Sequence, residues 1–316
     1  MLAQLVPGLL VRFFARPYVA GGDADAALVS AALNLESGLY TTLDLLGEDV
    51  TTAAQVEKNA DVYATLIRAL AKDARFVDDT IRPTVSLKPS AFTVGGQKEA
   101  FDTIEPIVQL AHEHGVGLTI DMESRAWTDR TLARSIELFE QGHDVGTVLQ
   151  TRLNRTEADL AMIPRGMRIR LVIGIYPEPS EVATTDKVEM KERMLQYAEQ
   201  LLQNGVHVEF ATHDDAYIER FAKDLAPRFP GKCEVQMLLG VPRARMQQSL
   251  MDGAFGTVLP VRVYVPFAVS WSDATAYLRR RMNESPSIVW LVLRNLLNRQ
   301  ATRPPPRLPP SVPHQV

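Results

Sequence analysis

The sequence of 316 residues holds a single cysteine, Cys233, which excludes an internal disulfide and any thiolate zinc site and suits a reducing, cytoplasmic compartment. Nor does it carry an excess of one charge. Its 34 Lys and Arg face 38 Asp and Glu, a net charge of −4, so no global basic field drives it onto nucleic acid or anionic lipid. No G-x-G-x-x-G follows a strand and no phosphate-binding P-loop is present, which leaves a Rossmann nucleotide site without support. No repeat at a fixed period is visible, so a solenoid is not expected. Trp127, Trp271 and Trp290 lack any spacing that suggests stacking on bases. The opening MLAQLVPGLLVRFFARP has neither a basic segment ahead of its apolar run nor a small-residue cleavage site, and that run is too short to span a bilayer. It reads as a helix that docks on the protein, with contact to a membrane surface left open.

What is present is an alternation of short β-rich runs and longer amphipathic stretches. The expected strands are Tyr40–Leu45, Thr84–Leu87, Gly117–Ile120, Thr147–Leu149, Ile169–Ile173, His207–Ala211, Glu234–Leu238 and Val261–Tyr264. The helical windows between and after them are Ala53–Asp73, Lys98–His114, Thr128–Glu140, Arg155–Met162, Lys187–Asn204, Ala216–Ala226, Ala244–Asp252 and Ser272–Asn283. In the first of these Tyr63, Leu66, Ile67 and Leu70 repeat at helical spacing. Eight strand–helix units predict an α/β chain folded as a distorted (β/α)8 barrel rather than an open doubly wound sheet. The expected organisation is an N-terminal helical segment over 1–37, a catalytic barrel over 38–300 with an added terminal helix at Ser287–Leu297, and a disordered proline-rich tail over 301–316.

A barrel gathers its chemistry at the C-terminal ends of the strands. Strand 2 ends at Lys88, strand 3 at Asp121, strand 4 at Gln150, strand 6 at Thr212 and His213, and strand 8 at Tyr264. Strand 5 is expected to begin at about Arg170 and to run into Val172, Ile173, Gly174, Ile175 and Tyr176. Each alone has a plain alternative, an ion-paired rim lysine or a helix-capping aspartate; together they describe a polar barrel mouth. On the last window, Arg280, Arg281 and Glu284 stand three, four and seven residues after Tyr277, so the four share one helical face while Arg279 diverges. Paired guanidiniums beside an aromatic suit a carboxylate, since planar twin donors match its two oxygens. His112 and His114 lack a third ligand at suitable spacing and read as a polar helix end, so no metal is expected. Cys233 reads as packed rather than nucleophilic.

In this order the segments TLDLLGE, VSLK, LTIDME, VLQ, RLVIG-Y, EFATHD, EVQMLLGV, VRVYVP and YLRRR with its glutamate resemble the proline dehydrogenases, over most of the chain from Leu43 to Pro286. The resemblance implies a flavoenzyme that oxidises L-proline to Δ1-pyrroline-5-carboxylate with FAD and passes electrons to a quinone, as the first step of proline catabolism. It implies Asp121 and Arg170 as catalytic residues. It also implies Lys88, Tyr264, Tyr277, Arg280, Arg281 and Leu238 around the substrate. FAD would meet Met122, Gln150, Val172, Ile173, Gly174, Ile175, Thr212, His213 and Glu284. Further implied partners are a separate pyrroline-5-carboxylate dehydrogenase and peripheral contact with the inner face of the membrane. The sequence departs from the family pattern at Ile173, where a lysine is usual, at Ile175, at Arg152 and at Asp214. Two other readings remain: a Schiff-base aldolase built on Lys88, and a non-catalytic proline-binding protein.

Overall fold

The computed structural model describes residues 19–21, 23–48 and 50–268. Eight strands form a closed, all-parallel barrel in the order β1 to β8: Tyr40–Leu45, Thr84–Leu87, Leu118–Ile120, Val145–Gln150, Arg168–Val172, His207–Ala211, Cys233–Leu238 and Val261–Phe267. Three match the expected spans residue for residue. Strand β5 runs over Arg168–Val172, one residue earlier at each end than the expected Ile169–Ile173, which places Arg170 in mid-strand. Strand β8 runs past Tyr264 to Phe267 because its neighbour β1 pairs with it as far as Leu45↔Phe267. The helices are α1 (Ala24–Glu36), α2 (Ala53–Lys72), α3 (Gln97–Glu113), α4 (Arg125–Glu140), α5 (Thr156–Asp159), α6 (Lys187–Gln203), α7 (Asp215–Arg220) and α8 (Ala244–Met251). The expected helix Ser272–Asn283, the terminal helix and most of the N-terminal segment lie outside the described residues.

Local chemistry sets the helix ends. Thr52 and Gln55 form a reciprocal capping box at the start of α2, and the Asp186 carboxylate caps α6 by accepting from Val188 and Glu189 N–H. The window 155–162 forms only a short helix followed by a tight turn at Leu160–Met162, because Pro164 forces Ile163 into extended backbone. The window 216–226 likewise breaks: α7 widens into a π-helical turn at Phe221–Leu225 and closes with Pro227 in a 3₁₀ turn. That widening seats Phe221 on Phe210 of β6, the two rings stacked with centroids 4.2 Å apart.

Alternate residues of a strand face opposite ways. The outward set includes Leu43, Val85, Ile120, Leu149, Leu171, Phe210, Val235 and Val263, all buried in one core with helix residues such as Tyr63, Leu66, Ile104, Leu201 and Phe221. Many parallel eight-stranded barrels fill their interior with branched apolar chains. Here the inward set is polar instead, with Asp44, Ser86, Asp121, Arg170, Glu209, Glu234 and Gln236 all buried. The apolar core is therefore the shell between strands and helices. Phe210→Ala, which empties a fully buried ring site in that shell, is expected to destabilise the fold by about 3–5 kcal/mol; chemical denaturation followed by circular dichroism measures it, and a loss under about 1 kcal/mol would contradict this placement of the core.

Candidate active site

The inward polar side chains end at a cavity of about 520 Å³ at the C-terminal mouth of the barrel. Every described residue assigned to a catalytic, substrate or cofactor site from the sequence lines it: Lys88, Asp121, Met122, Gln150, Arg170, Val172, Ile173, Gly174, Ile175, Thr212, His213, Leu238 and Tyr264. Tyr277, Arg280, Arg281 and Glu284 lie outside the described residues.

Asp121, directly after β3, is the hub. One oxygen accepts from Ser86 Oγ at 2.8 Å and from Arg170 Nη1 at 2.6 Å, and the other accepts from Tyr264 Oη at 2.8 Å. Lys88 donates to Asp44 at 2.6 Å and to Tyr264 Oη at 3.3 Å, with Glu48 at 3.5 Å and Asp121 at 3.6 Å. Arg170 crosses the Tyr264 ring at 5.0 Å and donates from Nε to Gln236 at 2.7 Å. Its Nη2 is buried and has no hydrogen-bond partner among the described residues.

The protonation states follow from these contacts. Burial works against the Lys88 charge, but Asp44, Tyr264, Glu48 and Asp121 together outweigh it and raise the ammonium well above its ordinary pKa. Burial raises the Tyr264 phenol well above its usual value, and Asp121 and Asp44 push it the same way, so it remains a donor. Asp44 is a compromise. Burial raises it and Lys88 lowers it, leaving the carboxyl at about 7. Burial also raises Glu123, whose oxygens accept from Ser90 N–H at 2.8 Å and Ser90 Oγ at 2.6 Å.

The cavity also has apolar lining from Val148, Val172, Ile173, Met237 and Leu238. Gly174 turns the chain there with φ of +95°, and a Cβ at this point would sit 2.6 Å from Gln150 Oε1. Gln150 in turn donates to the Glu123 carbonyl at 2.8 Å.

Sequence reasoning missed Asp44, Glu48, Ser90, Glu123 and Gln236, which share the cavity, and placed Tyr176 at the barrel mouth without giving it a role. Asp44 and Gln236 carried a signal: each shares inward parity with a second polar residue of its strand, Thr42 in β1 and Glu234 in β7, between outward apolar neighbours. Ser90 and Glu123 meet across 33 residues of sequence and carried none. Of the paired histidines, His112 lies in the last turn of α3 and His114 caps it. Among the described residues no group of three or more His, Cys, Asp or Glu is arranged to hold a metal ion. Cys233 is buried, and burial raises its thiol to about 12.

His213 gives a pH prediction. Its Nε2 accepts from Leu238 N–H at 2.9 Å, which requires a neutral ring, and burial followed by the Arg243 charge lowers it from 6.5 to about 4. A folded-state pKa below the unfolded one stabilises above pH 6.5 and loses that contribution as pH falls toward about 4. The thermal midpoint should therefore drop between pH 7 and 4.5, and less steeply in His213→Gln, whose amide oxygen can still accept. Parallel pH curves for the two proteins would contradict the assignment.

This barrel has counterparts among known proteins. A solved proline utilization A (PutA) protein from Bdellovibrio bacteriovorus, inactivated by N-propargylglycine, superposes with a TM-score of 0.76 at 25% identity, over 90% of this chain and 34% of that one. This chain thus spans about a third of that PutA chain. The proline dehydrogenase of Deinococcus radiodurans is 31% identical over 292 residues, covering 90% of each chain. Proline dehydrogenase 2 of Bacillus subtilis is 30% identical over 281 residues, covering 87% of this chain and 88% of its own. The family model described as proline dehydrogenase matches residues 28–289. With that match over most of its length, the chain belongs to the proline dehydrogenase family.

Proposed function

We propose that this chain oxidises L-proline to Δ1-pyrroline-5-carboxylate with FAD as its cofactor and a quinone as electron acceptor. The observation that carries the reading is the meeting of Lys88, Asp121, Arg170 and Tyr264 in one cavity that also has apolar lining, in a chain of this family. The cavity lies within the usual range of small-molecule sites, about 300–1,000 Å³.

The residues present fit a flavin. A ring of that kind has apolar faces and hydrogen-bonding edges. Val148, Val172 and Ile173 suit the faces, the unpartnered Nη2 of buried Arg170 suits an edge, and Gly174 leaves the turn free of a side chain. Gln150, Met122, Ile175, Thr212 and His213 would complete the holding set, with Glu284 from the sequence beyond the described residues. Bound FAD would supply a two-electron acceptor.

The chain's own groups have separable tasks. The Lys88 ammonium has three protons; Asp44 and Tyr264 take two, and the remaining oxygens at 3.5 and 3.6 Å lie beyond normal hydrogen-bond length, so one donor is available to a substrate carboxylate. Arg280 and Arg281 would complete that grip. Leu238 and Tyr264, with Tyr277, would bracket the ring of the imino acid and fix which C–H faces the acceptor. Asp121 accepts from Ser86, Arg170 and Tyr264, so its task is to hold those three donors in place. Arg170 would stabilise negative charge as it gathers at the redox centre. Among the described residues no helix is long and apolar enough to cross a membrane, so a membrane quinone would be met at the surface.

The aldolase reading loses ground on Lys88 itself. A Schiff base needs a neutral amine, whereas the surrounding carboxylates favour the protonated form. Borohydride with a carbonyl substrate should add no mass at Lys88.

The purified protein is expected to be yellow and to bleach anaerobically with L-proline. A colourless preparation that also fails to take up added FAD overturns the proposal. Tight binding of tetrahydrofuroate without turnover by any quinone or dye would favour the binding-only alternative. Arg280→Met and Arg281→Met should each raise the KM for proline about 10- to 100-fold, the value of a lost charge-assisted contact, with flavin content near that of the parent. Arg279→Ala should change little. Unchanged proline saturation in both methionine variants would remove the clamp.

A further inference from the structure

Arg170 can serve a redox centre only if its guanidinium is held in one rotation, and Asp121 alone cannot fix it. Asp121 already accepts from Ser86 and Tyr264 and draws the guanidinium to one side, through Nη1 at 2.6 Å. In the barrel order, Asp121 follows β3, on one side of β5, while β6 flanks it on the other. There, in register with Arg170, stands Glu209.

We propose that Glu209 is a positioning residue for Arg170: its buried carboxylate, 3.6 Å from Arg170 Nε and set opposite the pull of Asp121, keeps the guanidinium turned so that Nη2 is left for the redox centre. The proposal rests on the reading of Arg170 given above. Glu209 itself is not among the residues that line the cavity, so it acts through Arg170 and touches no ligand.

The surroundings of Glu209 explain why a charge is needed there. The carboxylate is only 2% exposed. Its Oε1 accepts from Arg168 Nη1 at 3.1 Å, while Oε2 has no hydrogen-bond partner. The Arg170 Nε proton goes instead to Gln236, whose amide is locked by donating to Glu234 at 2.8 Å. Glu209 therefore contributes field rather than a hydrogen bond, and a field falls off slowly enough to act at this distance in a dry interior. Burial opposes its charge, but Arg168, Arg170 and Arg262 outweigh burial and hold it at about 2, so the carboxylate is ionised throughout the working range. The groups facing it from adjacent strands are Arg168 and Arg170 on β5 and Glu234 on β7, with Arg262 of β8 and His207 of its own strand.

Glu209→Gln tests this, since it keeps the shape and the acceptor for Arg168 while removing the charge. In the parent protein labelled with ¹⁵N-arginine, the Nε–H of Arg170, assigned by its loss in Arg170→Lys, should exchange slowly with solvent. In Glu209→Gln it should exchange about ten-fold faster or more, while the Arg262 signal, anchored by Glu234 at 2.6 Å, keeps its rate. In the loaded enzyme kcat should fall about ten-fold with the proline KM within about two-fold, and the midpoint potential of the bound cofactor should become more negative. Glu209→Asp keeps the charge one methylene further back and should recover most of kcat; it also serves if the glutamine variant folds poorly. Unchanged Arg170 exchange and kcat overturns the proposal. Equal acceleration of Arg170 and Arg262 overturns it too, because that marks general loosening. A parent protein that takes up no FAD defeats the proposed function, yet leaves the exchange comparison readable on its own.

Discussion

The ion pair between Arg170 and Asp121 is the constraint around which this barrel is arranged. A guanidinium that is 5% exposed can stay inside only if charge is returned to it at short range, and Asp121 does so at 2.6 Å. The same condition recurs around the interior. Lys88 meets Asp44 at 2.6 Å, Arg168 meets Glu209 at 3.1 Å and Arg262 meets Glu234 at 2.6 Å. These four pairs join four cations to four anions across the barrel interior. Such pairs rarely add stability, because desolvation offsets most of the attraction, but losing one partner strands the other at a cost of about 3–5 kcal/mol. The network is best understood as a device that fixes orientation.

Stability has to come from a different layer, and it does. The outward halves of the strands form the apolar shell with the helices, and even its polar atoms are tied inward. The buried Tyr63 hydroxyl donates to the Ser86 carbonyl at 2.5 Å and accepts from Leu45 N–H at 3.2 Å. Those contacts join α2 to β1 and β2, the strands that carry Asp44 and lead to Lys88. Separating the cohesive shell from the polar interior lets the mouth be built from charged residues without weakening the fold.

That division also explains what the sequence made legible. Strand positions could be read because the outward residues are apolar at every second place, and the helices because their apolar faces recur at 3.6. The end-of-strand residues Lys88, Asp121, Gln150 and Tyr264 could be read because a barrel sends them to one place, and the cavity contains all four. Asp44, Glu209 and Gln236 were not singled out because polar residues at alternate places in a strand look the same whether they face a solvated surface or charged partners across a barrel. The start of β5 was misplaced for a related reason: Arg168 and Arg170 look like surface residues until closure turns both inward. Helix ends near Pro164 and Pro227 were overextended where proline chemistry outweighed the apolar period.

Charge balance at the mouth carries the argument one step further. The described cavity wall has four carboxyl groups, Asp44, Glu48, Asp121 and Glu123, against two cations, Lys88 and Arg170, while His213 is held neutral at ordinary pH. Part of that excess is relieved at Asp44, whose carboxyl burial raises to about 7, and burial pushes Glu123 in the same direction. An anionic substrate added to this wall would meet repulsion unless further positive charge came with it. In the proposed reading Arg280 and Arg281 supply two such charges. Their task is then double: to pair with the substrate carboxylate, and to offset the acids without which Lys88 and Arg170 could not have been kept charged inside the barrel.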